Sequence, residues 1–217
     1  MRPGQDMINK LKERLCDPKP GLTAQLFMAP RPRPGGKVYT EVEDTCLKAA
    51  VLLLIYPKPD ALHLVFIRRA VTVLHHKDQI GLPGGQLEDA ENFEQAALRE
   101  TGEEIGIPAG KIKIIGSLTP LYVPPSNFCI YPFVGALDAP PSFLIDPAEV
   151  AAIIEIPLAH LEDPANSRLE TWMIDGRLVE VPYFKFGTHK IWGATAMILA
   201  EFLEVIKAAK RQTCMNI

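Results

Sequence analysis

Apolar positions between residues 47 and 67 fall into two runs. Leu47 to Tyr56 is continuous and reads as a buried strand, and Ala61 to Ile67 reads as a second. Pro57-Lys58-Pro59-Asp60 parts them, so the pair predicts a hairpin. Lys111 to Leu118, Cys129 to Val134 and Ile153 to Ile156 also have strand character, and Pro157 to Leu161 suggests a turn of helix. Leu169 to Ile174 and Leu178 to Phe184 flank Asp175-Gly176, a hairpin turn signal. Helical spacing appears near both ends. Ile8, Leu11 and Leu15 form a stripe over Met7 to Leu15. Ile198, Leu199, Phe202, Leu203 and Ile206 form another over Ile191 to Ala209. Pro18, Pro20, Pro30, Pro32, Pro34 and Gly35-Gly36 predict an irregular segment after the first helix. The resulting division is an arm over residues 1–45, a domain over 46–210 and a tail over 211–217. The arm lies on the domain or on a partner subunit, which leaves a homodimer open. Strands mixed with two main helices argue for α/β or α+β layers.

Composition narrows the class. A chain of 217 residues with 47% hydrophobic content fits one globular domain. The net charge of −3 gives no general attraction to nucleic acid or to an anionic membrane. A phosphate-bearing ligand must then be held by local cations or by metal. Arg31, Arg33 and Lys37 are candidates, against the plainer reading of a solvated basic loop. Cys16, Cys46, Cys129 and Cys214 are scattered without a C-x-x-C pair, which predicts free thiols and a reducing, cytoplasmic setting. The N-terminus carries no apolar signal-like run, and no apolar run reaches the roughly 18 residues of a membrane span.

The chemistry concentrates between Gly84 and Ile107, GGQLEDAENFEQAALRETGEEIGI. On a helix, Glu100, Glu103 and Glu104 share one face with side chains about 5–6 Å apart. Three carboxylates that close repel one another unless a positive charge lies between them. A divalent cation is the simplest neutraliser, and oxygen ligands suit Mg²⁺ or Mn²⁺. A solvated acidic helix face is the plainer alternative. Leu82-Pro83-Gly84-Gly85 is a turn that lets backbone approach a ligand. Asp89 is a candidate to cap or open the helix, Gly106 ends it, and Gly102 inside it has no evident purpose.

The spacing G-x5-E-x7-R-E-U-x-E-E-x-G-U, filled by Gly85, Glu91, Arg99, Glu100, Glu103, Glu104, Gly106 and Ile107, resembles the Nudix box. Thr101 stands where the pattern usually has an aliphatic residue. The resemblance implies the Nudix fold, an α/β arrangement with a mixed β-sheet sandwiched between α-helices. It implies hydrolysis of a nucleoside diphosphate linked to another moiety, with Mg²⁺ or Mn²⁺ as cofactor. Metal coordination falls to Glu100, Glu103 and Glu104, with the Gly85 carbonyl as a further ligand. Arg99 and Glu91 support them, since a guanidinium holds carboxylates in a fixed fork. Glu149, outside the box, is the candidate for an extra ligand or base.

A narrower resemblance, to coenzyme A pyrophosphatases, rests on the upstream pattern L-L-T-x-R-[SA]-x3-R-x3-G-x3-F-P-G-G. Arg69 and Ala70 fit R-[SA], and Pro83-Gly84-Gly85 fit its end. Val65, Phe66 and Ile67 stand at L-L-T, Leu74 at the second arginine, Asp78 at the glycine and Leu82 at the phenylalanine. His76 to Gly85, Leu118 to Gly135 and Ile191 to Ala196 are similar to that subgroup as well. This implies cleavage of coenzyme A or an acyl derivative to 3′,5′-ADP and a phosphopantetheine. The alternatives are the same chemistry on ADP-ribose, a dinucleotide or a nucleotide sugar, and a nucleotide-binding module without turnover. Arg69 is a substrate-binding candidate. Tyr122 and Phe128, beside the stiff Pro124-Pro125 loop, are candidates to stack on adenine, with core packing as the even alternative. His75 and His76 are loop residues open to acid/base, ligand or packing roles.

Overall fold

The computed structural model describes residues 3–32, 45–71 and 78–215. Arg33, Lys37, Leu74, His75 and His76 lie outside them. In chain order the elements are α1 (Pro3–Cys16), α2 (Leu22–Gln25), β1 (Leu47–Pro57), β2 (Leu62–Arg69), β3 (Ile80–Gly81), β4 (Gly84–Gln86) and α3 (Phe93–Ile105). Then follow β5 (Lys113–Ser117), β6 (Leu121–Val123), β7 (Phe128–Ala136), β8 (Val150–Pro157) and α4 (Leu158–Glu162). β9 (Ser167–Ile174), β10 (Arg177–Phe186), β11 (His189–Trp192) and α5 (Gly193–Met215) complete the chain.

The main sheet runs β3-β2-β1-β7-β5, with β4 paired to β1, β6 to β7 and β8 to β2. β1 and β7 are parallel and the other pairs antiparallel, so the sheet is mixed. β1 serves two partners on one edge. Ala49 to Val51 pair with β4, and Ile55 to Pro57 with β2. Alternation then sorts side chains between the two faces. Leu53, Ile55, Leu64 and Phe66 join the core built with α1 and α5. Leu52, Leu54, Tyr56, Val65 and Ile67 join Ala96, Ala97 and Ile105 of α3. The sheet is thus sandwiched between helices, the α/β architecture read from the sequence.

Two departures have identifiable causes. Ile191 and Trp192 pair with Phe184 and Tyr183 as strand, and α5 starts only at Gly193, whose φ of +61° turns the chain. Cys46 and Cys129 form a disulfide, which corrects the expectation of free thiols at these positions. The cause is register: Lys48 lies opposite Cys129 across the β1/β7 pair, so Cys46 emerges beside it. The two are 83 residues apart, and no local spacing announces the pairing.

The described part of the arm packs on the domain. Ile8, Leu11 and Leu15 are buried in the main core. Leu15 crosses β5 at Gly116, where a Cβ would stand 2.7 Å from the Leu15 Cβ. Behind α1, the buried Glu201 of α5 accepts from Gly21 N at 3.1 Å, Gln25 Nε2 at 2.8 Å and Thr119 Oγ1 at 2.7 Å. That carboxylate ties α2, the segment before β6, and α5 together.

Candidate functional site

α3 is fixed at both ends. Asn92, rather than Asp89, caps it: its side chain accepts from Gln95 N at 2.9 Å, and Gln95 Oε1 accepts from Asn92 N at 2.8 Å. The reciprocal pair satisfies two donors at the helix start, which Asp89 lies too far upstream to do. Gly106 closes the helix in the left-handed conformation at φ +72°. Gly102 has room for a Cβ, and nothing in the packing requires glycine there.

Along this helix Arg99 is the hub. Its Nε and Nη2 donate to the two oxygens of Glu91 at 3.1 and 2.9 Å. Nη1 donates to Glu100 at 2.9 Å and to Glu103 at 3.0 Å, and Nη2 reaches the Gln86 carbonyl at 3.2 Å. These bonds, with one from the Glu88 amide, hold the Glu91 carboxyl below its ordinary range. The Arg99 guanidinium is held more firmly protonated in turn.

Glu100 and Glu104 turn toward β4. A Cβ on Gly85 would meet the Glu100 carboxylate at 2.3–2.5 Å, so only glycine leaves this oxygen pair its place. Gly84 at φ +145° lies against β1, where a Cβ would stand 2.3 Å from the Ala50 carbonyl oxygen. Its amide donates to Glu104 Oε2 at 2.9 Å. Arg69, at the end of β2, approaches Glu104 Oε1 at 3.4 Å. Burial raises the Glu104 carboxyl to about 8 against these two stabilising contacts, with Glu100 and Glu149 adding to the rise. Burial raises Glu100 also, although Arg99 opposes it.

Glu149 completes the group. Oxygens of Glu100, Glu104 and Glu149 lie within 4.8 Å of one another. Glu149 precedes β8, and its carbonyl accepts from Ala70 N at 2.8 Å, beside Arg69. Sequence candidates Glu100, Glu104, Glu149, Gly85 and Arg69 therefore converge. Glu103 sits on the same helix with its side chain 59% exposed and directed to Arg99.

Tyr122 and Phe128 do not join them. Tyr122 is buried against Cys46 and Cys129, with its hydroxyl on Asn127 at 3.1 Å, so its ring offers no face for stacking. Phe128 shares the strand parity of Ile130, which packs toward the α1/α5 core, so the register sets it on the sheet face opposite α3. One aromatic pair on the α3 side is Phe93 with Tyr131, stacked at 3.6 Å between centroids. The sequence reading passed over this pair, Asn92 and Asp146. The N-x-x-Q spacing and the Asp146-Pro147 turn signal were visible for two of them.

The residues present suit a divalent cation. Three carboxylates gather within 4.8 Å, one of them buried, with Arg69 against Glu104 and Arg99 against Glu100 as the guanidinium contacts among the described residues. Like charges held this close are stable only with the proton retained or with cationic compensation. The donors are all oxygens, the chemistry of Mg²⁺ or Mn²⁺.

The NUDIX domain family model matches residues 47–175. A protein of Photorhabdus laumondii named Nudix hydrolase NudL is 32% identical over 184 residues, covering 84% of this chain and 94% of its own. A Yersinia pestis protein of the same name is 33% identical over 162 residues, covering 73% and 79%. Among solved structures, the Nudix hydrolase RenU of M. Smegmatis superposes with a TM-score of 0.50 at 20% identity, covering 75% of this chain and 86% of its own. A MutT/nudix family protein of Enterococcus faecalis gives 0.51 at 16% identity, covering 79% and 66%.

Proposed function

The chain belongs to the NUDIX family, matched over residues 47–175, and from that premise we propose that it is a metal-dependent diphosphatase of nucleoside diphosphate derivatives. The observation that carries the reading is the convergence of Glu100, Glu104 and Glu149 beside the glycine cradle at Gly85. Mg²⁺ or Mn²⁺, when bound, neutralises the diphosphate and lowers the pKa of a water. Glu100 and Glu104 would hold the cation with Glu149 and the Gly85 carbonyl. Glu103, exposed on the same helix and paired with Arg99, would be a further ligand. Arg99 and Glu91 keep the helix carboxylates oriented. Glu149, exposed to solvent, either completes the ligand set or takes the proton of the attacking water. Arg69 faces the diphosphate and offsets its charge.

The substrate we propose is coenzyme A or an acyl-CoA, cut to 3′,5′-ADP and (acyl-)4′-phosphopantetheine. Support comes from Arg69-Ala70 and the segments similar to coenzyme A pyrophosphatases. Leu74 at the second arginine position favours a second reading, the same chemistry on ADP-ribose, a dinucleotide or a nucleotide sugar. The test incubates the protein with this panel in Mg²⁺ or Mn²⁺ and identifies products. Release of 3′,5′-ADP is expected. Intact coenzyme A and acyl-CoA at high enzyme, with turnover of another panel member, moves the assignment to that member. Thermal stabilisation by a nucleotide without any product, even with Mn²⁺, identifies a binding module instead.

A further inference from the structure

Asp146 belongs to no box and touches no carboxylate of the site in the contacts described, yet it connects two of them. Its amide donates to the carbonyl of Glu104 at 3.1 Å. Its own carbonyl accepts from Glu149 N at 3.1 Å and from Val150 N at 2.8 Å. Its side chain accepts from Ala148 N at 2.8 Å, closing the turn Asp146-Pro147-Ala148-Glu149. The remaining links run through the end of β2. Glu149's carbonyl is held by Ala70 N, and Arg69 beside it approaches Glu104. Glu104, Asp146, Glu149 and Arg69-Ala70 thus form a closed circuit of contacts. The approach to the turn is fixed too. Phe143 and Ile145 pack into the α3-side core, Leu144 N donates to Ile105 O at 3.0 Å, and Gly106 leaves space for the Leu144 backbone. Carbonyls that the end of α3 cannot satisfy within the helix are used here to carry a loop.

We propose that Asp146 is a positioning residue: through its turn it sets the separation of Glu149 from Glu104 and so the affinity of the site for a divalent cation. The inference rests on the reading of Glu149 as a group of the metal site. Losing a group that orients a metal ligand typically changes metal affinity about 10- to 100-fold.

The experiment titrates Mn²⁺ into purified, metal-free protein and follows the free Mn²⁺ signal by electron paramagnetic resonance, beside the apo melting temperature. Asp146→Ala is expected to weaken Mn²⁺ binding about tenfold or more. Asp146→Asn, which keeps the side-chain acceptor, is expected to bind like wild type. Should Asp146→Ala not fold, Asp146→Ser, whose oxygen sits on a shorter arm, takes its place. Glu149→Gln separates the two levels of the argument. If Glu149→Gln loses Mn²⁺ affinity and Asp146→Ala keeps it, the positioning role is overturned while the site reading stands. If Glu149→Gln also binds like wild type, the parent reading of Glu149 fails and this inference with it. Equal weakening by Asp146→Asn and Asp146→Ala assigns the effect to charge and overturns the proposal.

Discussion

A Cβ on Gly85 would stand 2.3 Å from the carboxyl carbon of Glu100, so the β4 backbone and that carboxylate use the same space. Gly85→Ala must therefore displace Glu100 from the cluster or move β4 off β1. The expected result is a loss of Mn²⁺ affinity and turnover of about 10- to 100-fold. A Mn²⁺ titration of the variant checks it, and wild-type affinity would mean that the close approach has no part in metal binding.

Glu104 makes stability depend on pH. Its carboxyl titrates at about 8 in the fold against an ordinary 4.5, so between these values the unfolded chain has released a proton that the folded chain retains. Stability then falls as pH rises through that window, and the contribution is complete below the lower value. The metal-free protein should lose melting temperature from about pH 5 to about pH 8. Glu104→Gln should flatten that slope. Mn²⁺, which binds the deprotonated form, should oppose it more as pH increases. An identical slope in the variant would remove Glu104 as its source.

Arg99 joins Glu91, Glu100, Glu103 and the Gln86 carbonyl through one planar group. Lysine carries the charge without the fork. Arg99→Lys is expected to fold and to lose most turnover, with a larger fall in kcat than rise in KM. Steady-state kinetics read this directly, and a variant with near wild-type kcat would limit Arg99 to surface pairing.

The Cys46–Cys129 bond predicts a labelling pattern. Alkylation of the unfolded, unreduced chain should modify Cys16 and spare Cys46 and Cys129, and prior reduction should expose both. Mass spectrometry of protein quenched with alkylating agent inside the producing cell tells whether the bond forms there or on purification. Modification of both cysteines in both samples would mean that they are thiols in solution.

How much of this was legible from the sequence depends on the range of each interaction. Strands β1, β2, β9 and β10 and the stripe of α5 follow from local alternation and spacing. The carboxylates of α3 stand at fixed helical offsets, and so their shared face could be read directly. Glu149 was named but not located, because its place depends on a backbone bond from Ala70, distant in sequence, as well as on its own amide bond to Asp146. For Tyr122 and Phe128 stacking and core packing stand even in the sequence for the same reason: which sheet face a loop-flanking aromatic takes is set by β6/β7 register. The disulfide is a register effect as well, and no composition rule could anticipate it.

The helix α1 carries a practical lesson for anyone trimming this gene. The stretch matched by the family model, 47–175, omits both α1 and α5, which pack on the same side of the sheet. A cut before residue 47 alone would remove Ile8, Leu11 and Leu15 and leave a greasy furrow over Gly116, and Glu201 would lose the amide of Gly21 and the side chain of Gln25. The border of the family match is therefore not a border of folding, and a shortened product should be sought as aggregate rather than as a smaller enzyme.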